Sequence, residues 1–315
     1  MATFQTYQAG TMSIGVGGLR EDLLDVIVNI SPTETPMLSG FKKSKANGTV
    51  HEWVTDTLGT AANTTVVEGA DFVDPTLTAR TRHSNYCQIN REGFQVSDTL
   101  DAVDKVGIKG GEYEYQLAKA LKNIARGMEV AIVKGESAAG SASVARGSRG
   151  ISDSTTGGTG TGWVTTNTAS MGGTADITED SYNGILQECF IQGGNPDTTY
   201  AHGWNKRKIS SFTAGSTKNI EAFAKKLVLS VDVYESDFGL QRIILDRYMP
   251  LKAVSILQKD MWSIAMLRPV KHTPLAKVGS ARRGMVEAEW TLVSYNEAAK
   301  YGRGNPPLLI LYYDK

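Results

Sequence analysis

Apolar residues recur at helical spacing over one long stretch. In residues 112–134, EYEYQLAKALKNIARGMEVAIVK, the residues Leu117, Leu121, Ile124, Met128 and Ile132 follow at steps of four, three, four and four. This spacing sets one apolar stripe along a helix of 3.6 residues per turn. Ala118, Ala125 and Ala131 widen the stripe. Lys119, Lys122, Asn123, Arg126 and Glu129 fall mostly on the opposite side, which predicts a wet face and a dry face. Glu112 and Glu114 suit the positive N-terminal end, and Lys134-Gly135 suits the C-terminal end. At 1.5 Å per residue the helix spans roughly 35 Å. Taken alone, it reads as a core helix of an α+β enzyme.

Ahead of it the pattern changes. Residues 1–18 have no periodicity and read as an arm that only a partner would order. Residues 19–29 read as a short helix with Leu23, Leu24, Ile27 and Val28 on its apolar side, stopped by Pro32 and Pro36. Residues 49–57 (TVHEWVTDT) and 76–90 (TLTARTRHSNYCQIN) then alternate with period two, as strands do. Between them, residues 58–75 carry Gly59, Gly69 and Pro75 and form a soft tip. The prediction is a long two-stranded ribbon. Neither face of its second arm is solidly apolar, and an isolated hairpin is marginal in water. Each arm reaches roughly 50 Å at about 3.3 Å per residue, whereas a compact chain of this size has a radius of gyration of about 20 Å. The ribbon should stand out from the body and lie on a neighbouring copy; the other reading is that it lies across its own domain as a sheet.

Residues 92–96 return to the body, and Ser97-Asp98-Thr99 caps a short helix through residue 106. Beyond the long helix, residues 137–178 are low in complexity and read as a surface or assembly-dependent segment, with residues 146–151 as a local anchor. Residues 179–193 form a second helix with Tyr182, Ile185, Leu186, Cys189 and Phe190 on its apolar face. A turn at 193–197 leads to strand 198–204 and a short helix within 204–214. Strands follow at 227–234, 240–245, 253–257, 262–267, 285–295 and 307–313.

Composition removes several function classes. Across 315 residues, 33 Lys+Arg balance 33 Asp+Glu, so a strong grip on nucleic acid phosphates is not expected. No apolar run spans a bilayer, and residues 1–18 are no secretory signal. Cys87 and Cys189 are isolated and read as reduced and structural. His51, His83, His202 and His272 are scattered without metal spacing. The glycines of residues 14–19 follow no strand, so a dinucleotide loop is not indicated. Residues 135–139 (GESAA) miss the nucleophile-elbow pattern and follow a helix. No catalytic, metal or cofactor site emerges. The basic runs Lys206-Arg207-Lys208, Arg282-Arg283 and Lys42, Lys43, Lys45 read as solvated faces or intersubunit ion pairs rather than phosphate sites.

The acidic residues are more telling. Glu52, Asp56, Glu68, Asp71 and Asp74 lie on or near the ribbon tip, and no Lys or Arg occurs between Lys45 and Arg80. An acidic tip calls for a basic landing site. Together with Arg80 and Arg82 on the second arm and Lys119 and Arg126 on the long helix, these are the candidate intersubunit contacts.

The order of parts resembles the major capsid proteins of tailed bacteriophages, with their HK97-like fold. The stretches ISPTETPMLSGFKK (30–43), HEWVTDTL…EGADF (51–72), VYESDFG (233–239) and LRPVKHTPLAKVGSARRGMVEAEWTLVSYNEAA (267–299) carry the resemblance. It implies an α+β fold with an N-terminal arm and short helix (1–30) and an extended loop (48–91). A peripheral domain (31–47, 92–178 and 275–304) would hold the spine helix (112–134), and an axial domain would comprise 179–274 and 305–315. The resemblance implies a structural shell protein, not an enzyme. Copies would form pentamers and hexamers of an icosahedral head around double-stranded DNA, with weak, non-specific contact to that DNA. Its place would be the virion, after synthesis in the host cytoplasm, with no membrane and no cofactor. A portal and a decoration protein are further partners implied. Some relatives cross-link through an extended-loop lysine. Residues 48–104 contain none, so that chemistry is not expected. Some carry a fused scaffolding segment; the short arm here implies a separate scaffolding protein. An encapsulin-like bacterial nanocompartment shell is the alternative with the same fold, and a soluble α/β enzyme with an unusual insertion is the third reading.

Overall fold

Alternating strands and amphipathic helices assemble here into a four-stranded and a five-stranded sheet and a two-stranded hairpin. The structure, a computed structural model, describes residues 31–56, 63–72, 79–103, 108, 111–151, 177–191, 194–212, 232–250, 253–277, 279–295 and 309–312. The arm and the helix expected at 19–29 lie outside the described residues.

The chain enters through α1 (Pro36–Gly40), whose first position is a proline. Proline has a fixed φ suited to a first turn and no N–H to lose there. Thus Pro36, read as a stop signal, opens a helix. β1 (Lys42–Lys45) follows, then the hairpin of β2 (Val50–Thr55) and β3 (Thr81–Tyr86). β4 (Gln88–Ser97) and α2 (Asp98–Ala102) come next. Ser97 caps α2 as expected, its Oγ accepting from the Leu100 N–H at 3.1 Å, although this helix ends earlier than residue 106.

Residues 76–90 read as one strand; within them β3 and β4 divide at Cys87. Among the described residues β3 pairs only with β2, while β4 belongs to a four-stranded sheet in the order β1, β9 (Trp262–Leu275), β10 (Ala281–Ser294), β4. β9 and β10 form an antiparallel pair much longer than the short strand expected at 262–267. Gly279, with φ of 69°, makes the turn between them. Only glycine adopts that left-handed conformation freely. Residues 262–274, grouped from sequence with the axial unit, pair within the sheet that carries β4.

The spine helix α3 (Glu112–Lys134) lies on this sheet. Ala120, Ile124, Met128 and Ile132 are buried on it with Trp262, Ile264, Val286 and Trp290. Two features differ from the single-stripe reading. Leu121 is 42% exposed. Glu129, assigned to the wet face, is fully buried, because α1 covers that side of the helix near its C-terminal end. Both Glu129 carboxylate oxygens accept backbone N–H bonds there, from Met37 and Leu38, at 2.8 Å each.

A second sheet runs β11 (Leu309–Tyr312), β8 (Ala253–Leu257), β5 (Thr198–Ala201), β7 (Gly239–Leu245), β6 (Val233–Ser236). Only β5 and β7 are parallel neighbours. α4 (Glu179–Ile191) and α5 (Gly203–Phe212) cover it. Tyr182, Ile185, Leu186 and Cys189 pack into the second core with Ile209, Ile243 and Ile256. Phe190, expected on that apolar face, is instead 65% exposed beside Phe238.

Candidate intersubunit surface

The ribbon is fastened at its root, and residues 63–72 near its tip are exposed. β2 and β3 pair over six positions, from Val50↔Tyr86 to Thr55↔Thr81. Only Trp53 and Asn85 are buried in this hairpin. Trp53 Nε1 donates to the Ser294 carbonyl at 2.8 Å, tying β2 to the end of β10. Asn85 does more. Its Nδ2 donates to the Leu292 carbonyl at 2.7 Å and reaches Ser148 Oγ at 3.2 Å, while its Oδ1 accepts the Arg149 N–H at 2.9 Å. One side chain thus joins the ribbon, β10 and residues 148–149.

The anchor expected at residues 146–151 is present within the glycine-rich segment. Ser148 and Ile151 are fully buried. Arg146 donates to the buried Glu289 carboxylate at 2.6 Å, and Arg268 donates to its other oxygen at 2.8 Å. A buried carboxylate is tolerable when paired and hydrogen-bonded in this way. Gly135 and Gly150 cross so closely that a Cβ on either would collide with the other strand's backbone.

The candidate contacts fall into distinct groups. Glu52 pairs with Arg82, and Asp56 with Arg80 at 3.1 Å, all within the hairpin. Arg126 Nε donates to the Tyr248 hydroxyl at 2.9 Å. Glu68, Asp71 and Lys119 are exposed with no ion pair among the described residues. Asp74 lies outside the described residues. The charge pattern gave no warning of the tip's apolar side: Val66, Val67 and Phe72 are 83%, 80% and 83% exposed. Their signal in the sequence is the run VVEGADF inside an otherwise polar tip.

Several basic residues are paired inside the chain. Lys42 meets Asp260 at 2.9 Å, Lys206 meets Asp232 at 2.6 Å, and Arg282 meets Asp101 at 3.3 Å. Both cysteines are free and buried, and burial pushes the Cys87 and Cys189 thiols up to about 11 and about 12. Among the described residues no three metal-ligating side chains cluster, and no helix is long and apolar enough to cross a membrane. What the geometry offers is a surface for contact.

The sequence profile of the SU10 major capsid proteins matches residues 2–301. The chain belongs to this capsid protein family. A major capsid protein of Escherichia phage Phieco32 is 29% identical, over 82% of this chain and 86% of its own length. The fold is shared at lower identity. A capsid chain of cyanophage A-1(L) superposes with a TM-score of 0.67 at 13% identity, covering 94% of this chain and 97% of its own. The capsid of a native GTA particle superposes at 0.60 and 10% identity, covering 96% and 97%. The fold is therefore the HK97-like capsid fold, and the chain is a structural component of a tailed-phage virion rather than an enzyme. The nanocompartment alternative is not favoured, since the family and these neighbours are capsids of phage or GTA particles.

Proposed function

We propose that this capsid protein closes an icosahedral shell of pentamers and hexamers around double-stranded DNA, each copy reaching onto its neighbour through the 50–86 ribbon. The observation that carries this reading is the ribbon itself. It is anchored at Trp53 and Asn85 and exposed over residues 63–72, with Val66, Val67 and Phe72 facing solvent. Large apolar side chains concentrated on a projecting tip mark an interaction site. Burying them on another copy recovers roughly 25 cal/mol per Å² of apolar surface, which one chain leaves unused. Zero formal charge suits a wall that must not hold the packaged DNA tightly. In this reading, the exposed acids of the tip find lysines on the neighbour. The peripheral unit is the α3 sheet, and the axial unit is the β5–β8 sheet. A separate scaffolding protein, a portal and a decoration protein complete the particle.

The test is expression with its scaffolding partner followed by negative-stain microscopy. Closed particles of uniform diameter are expected. Persistent monomers whose ribbon resists protease would contradict the proposal.

A further inference from the structure

An apolar cleft opens on the side of α3 that faces the β1–β9 edge of the sheet. Its volume is about 140 Å³, and Leu38, Leu121, Ala125, Met128, Ile264 and Val270 line it. Leu121 and Val270 remain more than two-fifths exposed there. An apolar cavity of about 150 Å³ accepts a benzene ring, so this cleft is the size of one phenyl group. Its rim is basic. Lys43 lines it, and Lys45 follows on the same edge strand. Lys122 sits one turn before Ala125 on α3. Lys43, Lys45 and Lys122 are exposed, and none has an ion pair among the described residues.

The ribbon tip has the complementary chemistry. Phe72 is a bare phenyl ring, Val66 and Val67 flank it, and Glu68 and Asp71 are exposed carboxylates. In its own chain the tip leaves all five uncovered. We propose that Phe72 of one copy seats in the α3–β9 cleft of a second copy, with Glu68 and Asp71 set against the Lys43, Lys45 and Lys122 rim. The proposal rests on the shell reading and names the contact within it. Charge complementarity favours this occupant over residues 1–18, which carry no charged side chain at all. The size of the cleft favours it over residues 19–30, which contain no aromatic ring.

Cysteine pairing tests this directly, because Cys87 and Cys189 are buried and their thiols stay protonated. Assembled shells carrying both Phe72→Cys and Leu121→Cys are oxidised and run on a denaturing gel. A ladder of covalently linked chains is expected, absent from either single variant. Intact shells without the ladder overturn the pairing and leave the shell reading standing. Absence of shells from the unsubstituted protein overturns both. A link from Leu121→Cys to Leu24→Cys, in place of Phe72→Cys, assigns the cleft to residues 19–30 and also overturns the pairing. Charge reversal supplies a second readout should the cysteines impair assembly. Lys43→Glu lowers shell yield several-fold and Glu68→Lys in the same chain restores it; failure to restore overturns the pairing.

Discussion

Asn85 is one residue on which three segments depend. Replacing it with Ala strips partners from the Leu292 carbonyl and the Arg149 N–H, both drawn to it at 2.9 Å or less. Each buried group left unmade costs about 1–3 kcal/mol. We expect Asn85→Ala to lower stability by about 2–4 kcal/mol, read by denaturant unfolding, with faster proteolysis near residue 149. Glu129 is the other residue that decides local structure. Burial pushes its carboxyl up to about 7, against the pull of the Met37 and Leu38 N–H donors, and the Asp246 carboxylate adds to the rise. A carboxyl raised in the folded state holds its proton longer there than in the unfolded chain. Its contribution is therefore complete below about 4.5 and is lost as pH rises towards about 7. Asp246, also raised by burial, acts in the same direction. The melting temperature should fall between pH 5 and 7.5 and fall less in Glu129→Gln. Equal slopes would remove Glu129 from the account. Neither role was legible in the sequence. Asn85 sits in a polar strand like its neighbours, and Glu129 has the spacing of a solvated helix face until α1 is known to cover it.

At the scale of elements, local pattern was sufficient where each element buries one face against its own neighbours. The long helix kept its full extent, residues 112–134, because its stripe and its end residues agree. β9 was under-read because its outer half, RPVKHTPL, is mostly exposed and carries two prolines. Pairing with β10 sustains it, and pairing partners leave no local mark. The division at Cys87 was hidden for the same reason: the chain stays extended while its partner changes from β2 to β10. The anchor was partly legible through its glycines. Gly150→Ala should cost about 1–3 kcal/mol by overpacking, measured by thermal unfolding, since its Cβ would strike Gly135. The tip answers to a different assay. Glu68 and Asp71 are exposed, and exposed charges contribute about 0–1 kcal/mol to folding. Converting both to Lys should reduce shell yield by an order of magnitude while moving the melting temperature by less than about 2 °C. Unchanged yield with a lowered melting temperature would contradict the assignment of the tip to assembly.

At the scale of the whole molecule, the two cores account for folding and the exposed surfaces for assembly. The first core joins α3 to the four-stranded sheet, and the second joins α4 and α5 to the five-stranded sheet. Among the described residues, neither includes a ribbon residue between Trp53 and Cys87. The capsid fold was legible from the order of parts, since a ribbon, a long helix and a mixed sheet succeed one another along the chain. The surfaces proposed for contact between copies could be read from sequence only as charge, because the sequence of one chain does not show which of its surfaces face another. A cryo-electron microscopy map of the assembled shell tests the central claim most directly. The account predicts that residues 63–72 lie on an adjacent copy and bury Phe72 there. A map with the ribbon laid flat on its own subunit, and no neighbour beneath it, would contradict the account.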